Sequence, residues 1–166
     1  MPTNKFNSDD ELLAFYERFV GKDLHEIKGY LDQDIVKNIS KNKGMVGQIF
    51  EGLTGRAPNN NPDPDIKELE IELKVLSLRN REDGYRSKER SKIKSINYKS
   101  LFFERWETSK LRLKIKKILF NAYLHPIGSG FNDLKNFKYL GPILFILEKR
   151  EDNKIIEEDW NKIKEK

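Results

Sequence analysis

Asp65, Glu72 and Lys74 are the residues of this chain best spaced for chemistry. They lie in Asp65-Ile66-Lys67-Glu68-Leu69-Glu70-Ile71-Glu72-Leu73-Lys74, which runs on into the apolar Val75-Leu76-Ser77-Leu78. From Glu70, charged and apolar residues alternate. Ile71, Leu73 and Val75 face one way, and Glu70, Glu72 and Lys74 face the other. A period of two marks a half-buried strand, so Glu72 and Lys74 share one sheet face. Asp65 follows the turn-rich run Asn59-Asn60-Asn61-Pro62-Asp63-Pro64. A carboxylate at the mouth of a β-hairpin, with Glu-x-Lys on its second strand, suits phosphodiester cleavage. The carboxylates offer hard oxygens to Mg2+. The lysine can hold the attacking water or stabilise charge on the phosphate. Alone, the motif is unspecific, because 36% of the chain is Asp, Glu, Lys or Arg. On the motif alone the plainer reading is favoured: a solvated strand face of alternating charge.

Composition narrows the field. The 166 residues suit one domain with a real core. The absence of cysteine excludes disulfides and thiolate metal sites. Two histidines, His25 and His125, argue against a histidine zinc site. A net charge of +5 permits a polyanionic partner without requiring one. No apolar run is long enough to span a membrane, and no signal-peptide pattern is present. The expectation is a soluble cytoplasmic protein.

The elements that must position the three residues follow from periodicity. Ser8-x-x-Glu11 is a capping-box pattern, and it predicts a first helix with Leu12, Leu13, Tyr16, Phe19 and Val20 inward, closed by Gly21. A short helix is expected over 23–31 and a partly helical connector over 32–42. Val46, Ile49, Phe50 and Leu53 form the stripe of a further helix, with Glu51 on another face. Glycines inside that helix point to close backbone packing or a nearby ligand. By periodicity alone Glu51 is an exposed helix carboxylate. Residues 79–84 read as a turn, and Ile93, Ile96 and Tyr98 as candidates for a strand. Trp106-Glu107-Thr108-Ser109 looks like a helix entry; the run from Lys110 to Lys117 fits helix and strand alike by period, and it is read as a helical turn to about Lys114 and then a strand over 117–123. A buried strand is expected from Ile143 to Leu147 after Gly141-Pro142. An amphipathic helix from Asp152 carries Ile155, Ile156, Trp160 and Ile163. No repeat or low-complexity segment interrupts the chain.

Taken together, several of these pieces resemble the MutH-type endonucleases, a family of mismatch-repair nicking enzymes and GATC-cutting type II restriction enzymes. The likeness rests on Lys43-Gly44-Met45-Val46-Gly47-Gln48-Ile49-Phe50-Glu51, on Asp65…Glu72-Leu73-Lys74, on Trp106-Glu107-Thr108-Ser109 leading to Lys114, and on Glu157-Glu158-Asp159-Trp160. Their order and intervals agree, including fourteen residues from Glu51 to Asp65. The likeness runs from about Ser8 to Trp160. It implies an α/β fold, a restriction-endonuclease-like core in which a mixed β-sheet is flanked by helices. It implies a Mg2+ site of Asp65, Glu72 and Glu51, with Lys74 as the catalytic lysine and Lys114 approaching the scissile phosphate. Tyr85-Arg86-Ser87-Lys88-Glu89-Arg90 followed by Ile96-Asn97-Tyr98 looks closer to the restriction branch.

Under this reading the partner is double-stranded DNA, and the reaction is in-line hydrolysis giving 5′-phosphate ends. Arg86, Lys88, Arg90 and Lys92, with Lys110, Arg112, Lys116 and Lys117, would contact backbone phosphates; solvated charged faces are the plain alternative. Dimerisation on DNA and an accessory protein are partners the family allows. Residues 1–166 are expected to form a single catalytic domain without a C-terminal recognition arm, and hence to discriminate GATC weakly. Two other readings are a MutH-like repair nickase and a non-catalytic DNA-binding remnant. Intact Asp65, Glu72 and Lys74 argue against the remnant. An interaction domain with accidental charges leaves the spacing series unexplained.

Overall fold

The computed structural model describes residues 4–39, 44–56, 63–93, 95–128, 133–151 and 153–165. Residues 40–43, the run 59–62 and Asp152, all used above, lie outside the described residues, as does Ser129-Gly130, read from the sequence as part of a loop.

The N-terminal third is helical, and its caps are local chemistry. Helix α1 (Asp9–Glu17) begins at Ser8, whose Oγ accepts the Glu11 N–H at 3.1 Å. The Glu11 carboxylate binds the Asn7 N–H at 2.7 Å, one residue upstream of a closed capping box. Helix α2 (Leu24–Lys28) has the complete box, made by Asp23 and Glu26. Helix α3 (Gln33–Asn38) lies within the partly helical connector expected over 32–42. Helix α4 (Met45–Leu53) buries Val46, Ile49, Phe50 and Leu53, the stripe read from the sequence. Its Gly52 is there for space: a Cβ would stand 2.8 Å from Ile35 Cγ2 and 3.2 Å from Leu31 Cδ2.

Among the described residues four strands follow: β1 (Glu72–Arg81), β2 (Gly84–Ser87), β3 (Lys117–Leu124) and β4 (Tyr139–Ile146). They lie in the order β2-β1-β3-β4. Strand β1 is parallel to β3, and the two outer pairs are antiparallel, so the sheet is mixed. Between β2 and β3 lie helices α5 (Tyr98–Leu101) and α6 (Lys110–Ile115); α7 (Asn153–Lys164) closes the chain. One sheet face, with Leu73, Leu119, Tyr123 and Tyr139, packs under α1, α2 and α4. The other, with Ile118, Phe120 and Phe145, packs against Trp106, Leu147 and Trp160. Helices thus cover both faces of an α/β sheet. Among the described residues no helix is long and apolar enough to cross a membrane.

Several local expectations change. Strand β1 continues through Arg81, because Arg79, Asn80 and Arg81 pair with Arg86, Tyr85 and Gly84, and the turn shrinks to Glu82-Asp83. Ile93 and Ile96 belong to no strand. They pack against the cluster that includes Leu101, Trp106 and Trp160, and Asn97 caps α5 by accepting the Lys99 N–H at 3.0 Å. Tyr98 is consequently exposed. Strand β4 starts at Tyr139 and contains Pro142, which an edge strand tolerates. In α7, Ile155 faces solvent while Ile156, Trp160 and Ile163 turn inward.

A candidate active site at the open edge of the central strand

Strand β2 covers only the far end of β1, from Leu78 to Arg81. Over its first half, β1 has β3 on one side and, among the described residues, no strand on the other. The segment that fills this edge is very short. Ile66 and Ile71 form a single antiparallel bridge, N···O 2.9 and 3.1 Å, around a 3-10 turn at Lys67–Leu69. The expected hairpin is real, but its first strand is one residue long. Asp65, just before it, takes the place of a strand neighbour: its Oδ2 accepts the Leu73 N–H at 2.8 Å.

Glu72 opens β1 and is only 5% exposed. Its two oxygens are shared between two lysines, Lys74 Nζ at 2.7 Å on Oε1 and Lys114 Nζ at 2.5 Å on Oε2. Lys74 arrives by strand alternation. Lys114 arrives from α6, which starts where Ser109 Oγ accepts the Arg112 N–H at 3.1 Å. Lys114 also donates to the Asp63 carbonyl at 3.1 Å. Glu51 reaches the group from α4, half-buried rather than exposed. Tyr16, from α1, holds the helix turn beside it by donating to the Phe50 carbonyl at 2.8 Å.

The electrostatics mark these residues as one set. Burial, then repulsion by Asp65, raises Glu51 from 4.5 to about 7; Glu72 adds to the repulsion, and Lys74 and Lys114 oppose it. Asp65 is raised by burial and by Glu72, against the Leu73 N–H and the same two lysines. Burial foremost raises Tyr16, with Tyr139, Glu51 and Asp65 contributing. Shifts of this kind gather where a fold holds like charges together. The donor set is all hard oxygen, and two members sit above their ordinary range, which is what a group short of positive charge looks like. It fits a divalent cation by chemistry. Among the described residues, however, no three carboxylates already form a ready cage, and Glu72 gives both oxygens to lysines.

The basic residues divide. Arg90, Lys92 and Lys110 are exposed. Arg86 pairs with Asp83, Arg112 with Glu148 at 3.2 Å, and Lys116 with Glu70. Lys117 holds both oxygens of Asp9 at 2.9 Å, tying β3 to the start of α1. The Lys88 ammonium lies 3.2 Å from Nε2 of the buried His125. Four of the eight expected phosphate contacts therefore sit in ion pairs within the protein. The sequence did not single out Tyr16, the Asp63 carbonyl or Glu70, whose roles arise from contacts no local pattern encodes.

A mixed sheet between helix layers, with carboxylates and lysines converging at the edge of its central strand, defines a protein of the restriction-endonuclease-like class. The family model for the DNA mismatch repair enzyme MutH matches residues 54–159, and the chain belongs to that family. It is 30% identical over 143 residues to the type II restriction enzyme Sau3AI of Staphylococcus aureus, covering 85% of this chain and 27% of that one. It is 30% identical over 113 residues to the DNA mismatch repair protein MutH of Actinobacillus pleuropneumoniae serotype 5b, covering 68% and 49%. With the Escherichia coli O9:H4 protein of that name it shares 24% identity over 156 residues, covering 94% and 65%. The chain spans about a quarter of the restriction enzyme's length and about half to two thirds of the repair proteins'.

Proposed function

We propose that this domain is a Mg2+-dependent DNA endonuclease that hydrolyses phosphodiester bonds in double-stranded DNA. The carrying observation is the group at the open edge of β1, where burial first and neighbouring carboxylates second raise Glu51 and Asp65, and Glu72 is held by two lysines. Asp65, Glu72 and Glu51 are the residues that would hold the ion. Bound there, a divalent cation supplies Lewis acidity and an activated water. The chain's own residues do the rest. Asp65 is fixed by a backbone amide and so costs little reorganisation on binding. Lys74 and Lys114 bring two positive charges to a buried spot where a phosphate gaining charge is stabilised more strongly than in water. Lys114 comes from a different element than Lys74, so a phosphate drawn between them is gripped from two sides. Uncatalysed phosphodiester cleavage is so slow that acceleration near the upper end of the range, roughly 10⁶–10¹⁷-fold, is required.

Arg90, Lys92 and Lys110, which are exposed, would add backbone contacts, which give affinity without sequence information. We read the specificity as GATC-type by kinship with the family, and restriction-type cutting as the leading form, with repair-type nicking second. The test is conversion of supercoiled plasmid in Mg2+ and in EDTA, by wild type and by Asp65→Asn, Glu72→Gln and Lys74→Met, with circular dichroism as folding control. Cleavage that needs Mg2+ and is lost in all three variants is expected. Cleavage retained by Glu72→Gln overturns the assignment.

A further inference from the structure

Glu70 is the one non-glycine residue among those described with a left-handed backbone, φ 55° and ψ 37°. L-residues avoid this region because Cβ crowds the following carbonyl, and departures cluster at functional sites. A glycine would adopt it freely. Here the chain instead has a residue whose side chain reaches across to Lys116, at the junction of α6 and β3. That contact holds the Glu70 carboxyl below its ordinary range, the hydrogen bond from Lys116 being the main cause.

The geometry places both features at the turn that sets the candidate site. The left-handed residue closes the turn begun at Lys67 and lets Ile71 come back onto Ile66. That single bridge, between two fully buried isoleucines, is what brings Asp65 against the Leu73 amide. The segment 63–70 is also fastened at both ends by the same helix. Lys114 holds the Asp63 carbonyl, and two residues later Lys116 holds the Glu70 carboxylate. We infer that Glu70 and Lys116 form a positioning pair that keeps Asp65 in register with Glu72, and that Lys116 serves this turn rather than a DNA phosphate. The metal-binding part of this inference rests on the reading of Asp65 and Glu72 as cation ligands; the positioning of Asp65 does not.

The test compares wild type with Glu70→Gly, Lys116→Met and the exchanged pair Glu70→Lys/Lys116→Glu. Glycine keeps the turn sterically allowed, so a defect in that variant reports the lost side chain. Three quantities are read: exchange of the Leu73 amide by NMR without metal, Ca2+ affinity by calorimetry, and the salt slope of duplex binding. Both single variants are expected to exchange Leu73 faster and to bind Ca2+ about tenfold more weakly, the scale of lost outer-shell contacts. The exchanged pair is expected to recover most of both, and the salt slope is expected to hold. Unchanged Leu73 exchange in both single variants overturns the proposal. So does a Lys116→Met slope smaller by about 0.9 with Ca2+ affinity intact, which would make Lys116 a phosphate contact. If wild type binds no Ca2+ while Leu73 still responds, the pair positions Asp65 and the metal reading falls.

Discussion

Replacing Glu51 by glutamine is expected to stabilise the protein, and only where an ordinary glutamate is ionised. Burial and the Asp65 carboxylate raise Glu51 from 4.5 to about 7. Between those values the native state keeps a proton that the unfolded chain has released. Stability therefore falls as pH rises through this window and is lowest above about 7. Below it both states are protonated, and the group costs nothing. At about 1.4 kcal/mol per power of ten in proton affinity, the full shift corresponds to roughly 3 kcal/mol. Glu51 keeps some contact with water, and screening brings the expected effect to about 2 kcal/mol. Glutamine keeps the shape without the charge. In EDTA, urea unfolding should give equal stabilities near pH 4 and a variant more stable by about 2 kcal/mol near pH 8, or ~4–8 °C in Tm for a chain of this size. Saturating Mg2+ near pH 8 should shrink or invert the difference, because the native wild-type carboxylate gains a ligand that the unfolded chain lacks. A difference of equal size at both pH values, or a variant less stable near pH 8, would refute the reasoning.

Other outcomes follow from the same geometry. Lys114→Met leaves a Glu72 oxygen buried without its partner and should cost about 1–3 kcal/mol in urea unfolding, while lowering the cleavage rate more than duplex affinity. Alanine at Arg90, Lys92 or Lys110 should each reduce the salt slope of log K by about 0.9 if that residue contacts a phosphate, and Lys117→Ala should leave the slope alone because that lysine is committed to Asp9. Gly52→Ala drives a methyl group to 2.8 Å from Ile35 and should destabilise by roughly 1–3 kcal/mol in chemical denaturation.

Much of the fold was legible wherever one local signal governs. The Ser8 cap of α1, the α4 stripe and the inward residues of α7 other than Ile155 came from capping and periodicity, whereas the period of residues 110–117 suited helix and strand alike. Periodicity misread Ile93, Ile96 and Tyr98, because apolar residues at short spacing suit a loop packed on a buried cluster as well as a strand. For the site, alternation placed Glu72 beside Lys74, and the structure joins them at 2.7 Å. It was blind to Glu51 and Lys114, which family likeness supplied, since their meeting with Glu72 depends on tertiary packing. Charge runs were the poorest guide. Lys116 and Lys117 belong to one basic stretch with Lys110, yet the fold turns them onto Glu70 and Asp9.

The parallel pairing of β1 with β3 also bears on when the site can exist. Glu72 lies opposite Ile118, and its contact with Lys114 spans 42 residues. Parallel pairing across such a span is slow, because a long loop must close before the contacts that stabilise it form. A growing polypeptide that has reached Ser87 holds Asp65, Glu72 and Lys74 but has neither β3 to align β1 nor α6 to neutralise Glu72. The carboxylates then repel one another with one cation where the native fold supplies two. Assembly of the candidate site is thereby tied to completion of the sheet, and fragments released early in synthesis carry the motif without the partners that position it.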